Sequence, residues 1–144
     1  MLGGSVKALV VHLPRATALH CRIIALLSDR SITFVGRQIG ADLKKIGKDF
    51  KCEGATDHAK FKDIGVMARE RDVVRTAVVG LDQLVEVCFE ERLSKAADVR
   101  LSKWSNAPLT QRQAEYAALD AFYSLKVSLP LLPLDNLTAR LAPD

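Results

Sequence analysis

Acidic side chains are scarce at the front of this 144-residue chain. Before Asp42 there is only Asp29, against Lys7, Arg15, Arg22, Arg30 and Arg37, so the first 41 residues can supply almost no carboxylate chemistry. Cysteine is scarce as well. Cys21, Cys52 and Cys88 form no C-x-x-C pair, and an odd number with no secretory context reads as buried, reduced thiols of an intracellular protein. His12, His20 and His58 have no metal-ligand spacing, which argues against a zinc site. Long apolar runs are missing: residues 9–13 are followed at once by Pro14 and Arg15, with no small-residue cleavage site, so neither a signal peptide nor a membrane span is expected. Eight glycines and five prolines without a period exclude a collagen-like or low-complexity chain.

What remains, 49% hydrophobic and 26% charged residues, is the composition of one soluble globular domain with a sizeable core. The excess of 21 Lys and Arg over 17 Asp and Glu gives a net charge of +4, which suits a polyanionic partner without requiring one. Lys7–Leu13 is β-branched and apolar, as expected of a buried strand. Ala16–Ser28 places Leu19, Ile23, Leu26 and Leu27 at helical spacing. Ile32–Val35 reads as a second strand, Gly36 as a turn, and the segment after Gly40 as a helix with Leu43, Ile46 and Phe50 on one face. This β-α-β-α order predicts an α/β layer architecture.

Lys51–Lys62 reads as a polar loop, Phe61–Ala68 as a short helix, and Arg69–Val73 as a charged connector. Gly80 starts a helix with Leu81, Leu84, Val85, Cys88 and Phe89 inward, ending near Leu93. Thr110 and Gln113 form a T-x-x-Q capping box with Leu109 and Ala114 as its flanking apolar pair, and predict a last helix from Gln111 to Leu129, stopped by Pro130 and Pro133. Residues 130–144 read as a C-terminal tail.

Two places can carry chemistry. Tyr116 and Asp120 are four residues apart on the last helix, so their side chains share a face, and Ala114, Ala117, Ala118 and Ala121 around them leave room for a close approach. A carboxylate beside a phenol can hold a divalent ion while the tyrosine orients an attacking water, although spacing alone favours an ordinary surface or boundary pair. Asp42 stands in the first turn of its helix, where the helix dipole favours a carboxylate in any case. Trp104, near Arg100 and Lys103, reads as a packing anchor rather than a base-stacking platform, and Lys44, Lys45 and Lys48 as a solvated face.

Taken together, Arg100–Leu125 (RLSKWSNAPLTQRQAEYAALDAFYSL) closely resembles the third motif of the DEDDy 3′-5′ exonucleases, the ribonuclease D and Werner-type group. The matching residues are Tyr116 and Asp120, preceded by Trp104, Leu109, Thr110 and Gln113. Phe34–Phe50 resembles the second motif, with Asp42 as its carboxylate, and Asp63–Ala68 and Gly80–Lys95 resemble the intervening helices. The resemblance covers about Val6–Leu129, a partial exonuclease domain over residues 1–129. It implies a ribonuclease H-like mixed sheet flanked by helices, and hydrolysis at a DNA or RNA 3′ end with two Mg²⁺ or Mn²⁺ ions. Asp42 and Asp120 are then metal ligands, and Tyr116 positions the water.

The first motif of that family, an Asp-x-Glu on the first strand, has no counterpart before Asp42. The resemblance therefore implies a domain without its first one or two strands, and a chain that is weakly active or inactive alone. Exposed strand edges would then invite an oligomer, or an upstream segment completing the sheet. The alternative is a non-catalytic relative that binds nucleic acid or a protein partner through the same fold. A plain structural α/β module would have to treat both motif matches as chance.

Overall fold

A computed structural model describes residues 6–13, 16–94 and 96–133. The order of elements is α1 (Cys21–Ser28), β1 (Thr33–Gly36), α2 (Ile39–Phe50), α3 (Glu53–Thr56), β2 (Lys60–Asp63), α4 (Ile64–Glu70), α5 (Leu81–Phe89), α6 (Ala97–Arg100) and α7 (Gln111–Leu131). β1 and β2 pair in parallel, with Thr33 opposite Lys60 and Gly36 opposite Asp63. Alternation along β1 sends neighbouring side chains to opposite faces of the sheet. Phe34 packs on a core of Leu19, Leu27, Leu43, Ala55 and Ala59, drawn largely from α1, α2 and α3. Val35 packs on a second core of Ile64, Met67, Ala68, Leu84, Val85, Val127 and Leu131 from α4, α5 and α7. The class is α/β, a small sheet flanked by helices on both faces, as the sequence predicts.

Several local expectations are corrected. No strand forms over Lys7–Leu13 among the described residues. Leu13 packs on the first core, while Leu9 is 87% exposed, so the β-branched pattern has no ladder to join. The first helix begins at Cys21 rather than Ala16, where His20 Nδ1 accepts the Arg22 N–H at 3.2 Å and sets the N-terminus. Cys21 is exposed, not buried, and Cys52 and Cys88 are half-buried.

The polar stretch 51–62 is not a loop throughout: it holds α3 and most of β2, and Phe61–Asp63 is strand where a helix was expected. α5 stops at Phe89 because Glu90 takes a left-handed conformation and donates its N–H to the Glu86 carbonyl. α7 passes through Pro130 and ends at Leu131. The proline removes one N–H near the helix end, and burial of Leu131 in the second core holds the extra turn in place. The tail beyond residue 133 lies outside the described residues.

Candidate active site

The site begins at the ends of the two strands, where backbone leaves the sheet. In an open α/β sheet, crevices form outside the carboxyl ends of the strands. After Gly36 the chain turns through Gln38, whose φ of 54° is left-handed and unfavourable for a residue with a Cβ. The turn is held from the neighbouring strand. The Asp63 carboxylate accepts the Gln38 N–H at 2.6 Å, forms an ion pair with Arg37, and accepts the Gly65 N–H at 2.8 Å as N-cap of α4. Burial pushes the Asp63 carboxyl up, but these N–H groups and the Arg37 charge outweigh it and hold the pKa below the usual carboxylate range. Arg37 Nε also donates to the Val79 carbonyl at 2.6 Å, which fastens the approach to α5. α2 therefore leaves the sheet at a fixed angle, with Asp42 in its first turn. Gly40 lets it lie close to the strand, because a Cβ there would stand 2.8 Å from the Phe61 ring.

The opposite wall is α7. Its N-terminus carries the expected capping box: Thr110 Oγ1 accepts the Gln113 N–H at 3.2 Å, and Gln113 Oε1 accepts the Thr110 N–H at 2.9 Å. The buried Gln113 amide also donates to Ser102 Oγ at 2.9 Å and to the Lys103 carbonyl at 3.3 Å, tying the helix to the tryptophan segment. Trp104 acts as the expected anchor. Its indole N–H donates to the Arg100 carbonyl at 3.1 Å, its own carbonyl accepts from His12 Nε2 at 2.7 Å, and its ring lies 6.1 Å from the Tyr116 ring.

Between α2 and α7 is a cleft of about 800 Å³, and Asp42, Tyr116 and Asp120 all line it. Residues 78 positions apart in sequence thus meet at one opening. Ala117, Ala121 and Ser124 make a small-residue wall beside them. Burial pushes the carboxyls of both Asp42 and Asp120 up, and no hydrogen bond to either side chain offsets it among the described residues. Burial and the Asp120 charge push the Tyr116 phenol up as well, opposed by Arg100. Tyr116 is therefore a neutral hydrogen-bonding group near pH 7 rather than a base.

Two carboxylates that lack N–H donors fit a divalent cation whose other ligands are water and substrate oxygen. Among the described residues, no group of three or more His, Cys, Asp or Glu is arranged to hold a metal ion. Arg37, Asp82 and Arg100 line the same cleft and were not singled out by sequence reasoning as site residues. Arg100 had a signal, its place four residues before Trp104. Asp82 had none beyond its position in the first turn of α5. Lys44, Lys45 and Lys48 are exposed as expected, with Lys45 paired to Asp49 at 2.6 Å.

Residues 9–134 match the family model described as 3′-5′ exonuclease. A 3′-5′ exonuclease of Drosophila willistoni is 31% identical over 116 residues, covering 78% of this chain and 32% of that protein. Its counterpart in Drosophila virilis is 30% identical over 115 residues, covering 78% and 34%. The chain thus spans about a third of the length of the curated relatives it matches. Among solved structures, the EXD2 exonuclease domain soaked in Mn is 27% identical, with 81% of this chain and 55% of that chain covered and a TM-score of 0.36.

Proposed function

Because the chain belongs to the 3′-5′ exonuclease family, we propose that the cleft between α2 and α7 is a site for the 3′ end of DNA or RNA. Asp42 and Asp120 hold a divalent cation there, and Tyr116 orients the water. The observation that carries this reading is the meeting of Asp42 from α2 with Tyr116 and Asp120 from α7 in one cleft. Mg²⁺ or Mn²⁺ bound there supplies positive charge against the phosphodiester and lowers the pKa of a coordinated water. The chain's own residues do the rest. The protonated Tyr116 phenol offers a hydrogen bond that fixes the direction of approach of a water, and the packed Trp104 ring keeps that phenol in place. Ala117 and Ala121 leave room for the terminal nucleotide.

The carboxylates present suit one cation. The two-ion arrangement of the exonuclease motifs needs further acids, which residues 1–41 do not supply. Hydrolysis by this polypeptide alone is accordingly weak or nil. The low acid count also favours a second reading, a relative that binds nucleic acid without cleaving it.

Titration with Mn²⁺ separates these readings. About one ion should bind per chain, and Asp42→Asn or Asp120→Asn should weaken binding by about tenfold or more. Unchanged affinity in both variants would remove the metal role. Rapid degradation of a 3′-labelled oligonucleotide, abolished by Asp120→Ala, would show that the two acids suffice. Binding of single-stranded nucleic acid that falls steeply with salt, without Mn²⁺ uptake, would establish the second reading.

A further inference from the structure

Among the described residues, five charged side chains line the cleft: Asp42, Asp82 and Asp120 with Arg37 and Arg100. The two arginines differ in what they are free to do. Arg37 is committed, through its ion pair with Asp63 and its bond to the Val79 carbonyl. It is also wedged against Gly65, where an added Cβ would stand 2.6 Å from Nη1. The Arg100 guanidinium has no ion pair and no hydrogen bond among the described residues. The nearby Arg112 is paired with Asp98 at 2.8 Å and does not line the cleft.

Although its side chain is free, the Arg100 backbone is fixed. It ends α6, donates its N–H to the Ala96 carbonyl at 2.9 Å and accepts the Trp104 indole N–H. Trp104 in turn packs on Tyr116. A cation on a rigid base thus lines a cleft that it shares, among the described residues, with the carboxylates of Asp42 and Asp120. A phosphate entering that cleft meets repulsion from the acids unless a cation faces it. Guanidinium is suited to the task, since its planar fork gives two parallel N–H bonds to phosphate oxygens and stays charged at every relevant pH.

We propose that Arg100 is the phosphate-binding residue of this cleft and takes the phosphate of a nucleotide lodged beside Tyr116. The assignment rests on the reading of the cleft as a nucleotide site and goes beyond it by naming the group that recognises phosphate without metal.

The test is calorimetric titration of the full chain in chelator with thymidine 5′-monophosphate and, separately, with thymidine. The monophosphate should bind more tightly than the nucleoside. Arg100→Gln should weaken it by about tenfold or more, the scale of a lost charge-assisted pair of hydrogen bonds. Arg100→Lys should recover part of the loss, because the charge remains without the fork, and Arg112→Gln should bind like the unaltered chain. Circular dichroism of each variant establishes that it is folded. Equal binding of monophosphate and nucleoside would overturn the assignment. So would an Arg100→Gln affinity within about twofold of the unaltered chain. Mn²⁺ uptake by Asp42 and Asp120 is measured without nucleotide, and Arg100→Gln should leave it intact. Failure of the phosphate assignment is thereby distinguished from failure of the nuclease reading.

Discussion

Asp63 is the residue on which the α2 wall depends. Its carboxylate caps α4, pairs with Arg37 and satisfies the left-handed Gln38, so one side chain holds both strand ends and the start of the helix that carries Asp42. Asp63→Ala should therefore destabilise the fold by about 2–3 kcal/mol, since it removes the ion-pair partner of the mostly buried Arg37 guanidinium and the acceptor of two backbone N–H groups. Urea unfolding would measure this. The pH dependence has a definite sign. The folded pKa is held below the unfolded value, so this stabilisation is present above about pH 4 and is lost as pH falls through the folded pKa. An Asp63→Ala chain should accordingly lose less stability on acidification than the unaltered one. A loss equal in both would show that Asp63 is not the group responsible.

Helices with a strong local signal were legible in advance, and so was β1, which the apolar run Ile32–Val35 places to within one residue; β2 was not. α7 could be placed from Thr110, Gln113 and the spacing of Tyr116 and Asp120, because a capping box and an i, i+4 pair are properties of the local chain. β2 could not, since its residues Lys60, Phe61, Lys62 and Asp63 have no apolar alternation and form a strand only because β1 offers a parallel partner. Lys7–Leu13 failed in the opposite sense, with good strand residues and no partner strand. The candidates Asp42, Tyr116 and Asp120 were named from their motifs and line one cleft, whereas the parts of Arg37 and Asp63 follow from the pairing of β1 with β2 and leave no local trace. At this scale the sharpest prediction concerns Gln113, which closes the α7 cap and binds the tryptophan segment at once. Gln113→Ala should cost about 2–3 kcal/mol, against about 1 kcal/mol for Thr110→Ala. Comparable losses in denaturant for the two variants would mean that the link to Ser102 and Lys103 contributes little.

Across the whole molecule, two cores meet on a sheet whose described part has two strands, each paired on one side. Large apolar side chains remain exposed around it, including Leu26, Val78, Leu101, Leu119 and Phe122. Such surface favours self-association or completion of the sheet by another segment. Sedimentation velocity at rising concentration should show the chain moving from monomer to larger species, and a strict monomer at high concentration would count against this. The two walls of the cleft also have an order in time. Asp42 is in place once α2 packs on β1, but Tyr116 and Asp120 arrive only with α7, the last described element, which docks on β1, α4, α5 and α6. During synthesis the segment before α7 presents half of the candidate site and a second core still without Val127 and Leu131. The two walls of the cleft can therefore hold nothing between them until α7 has cleared the ribosome.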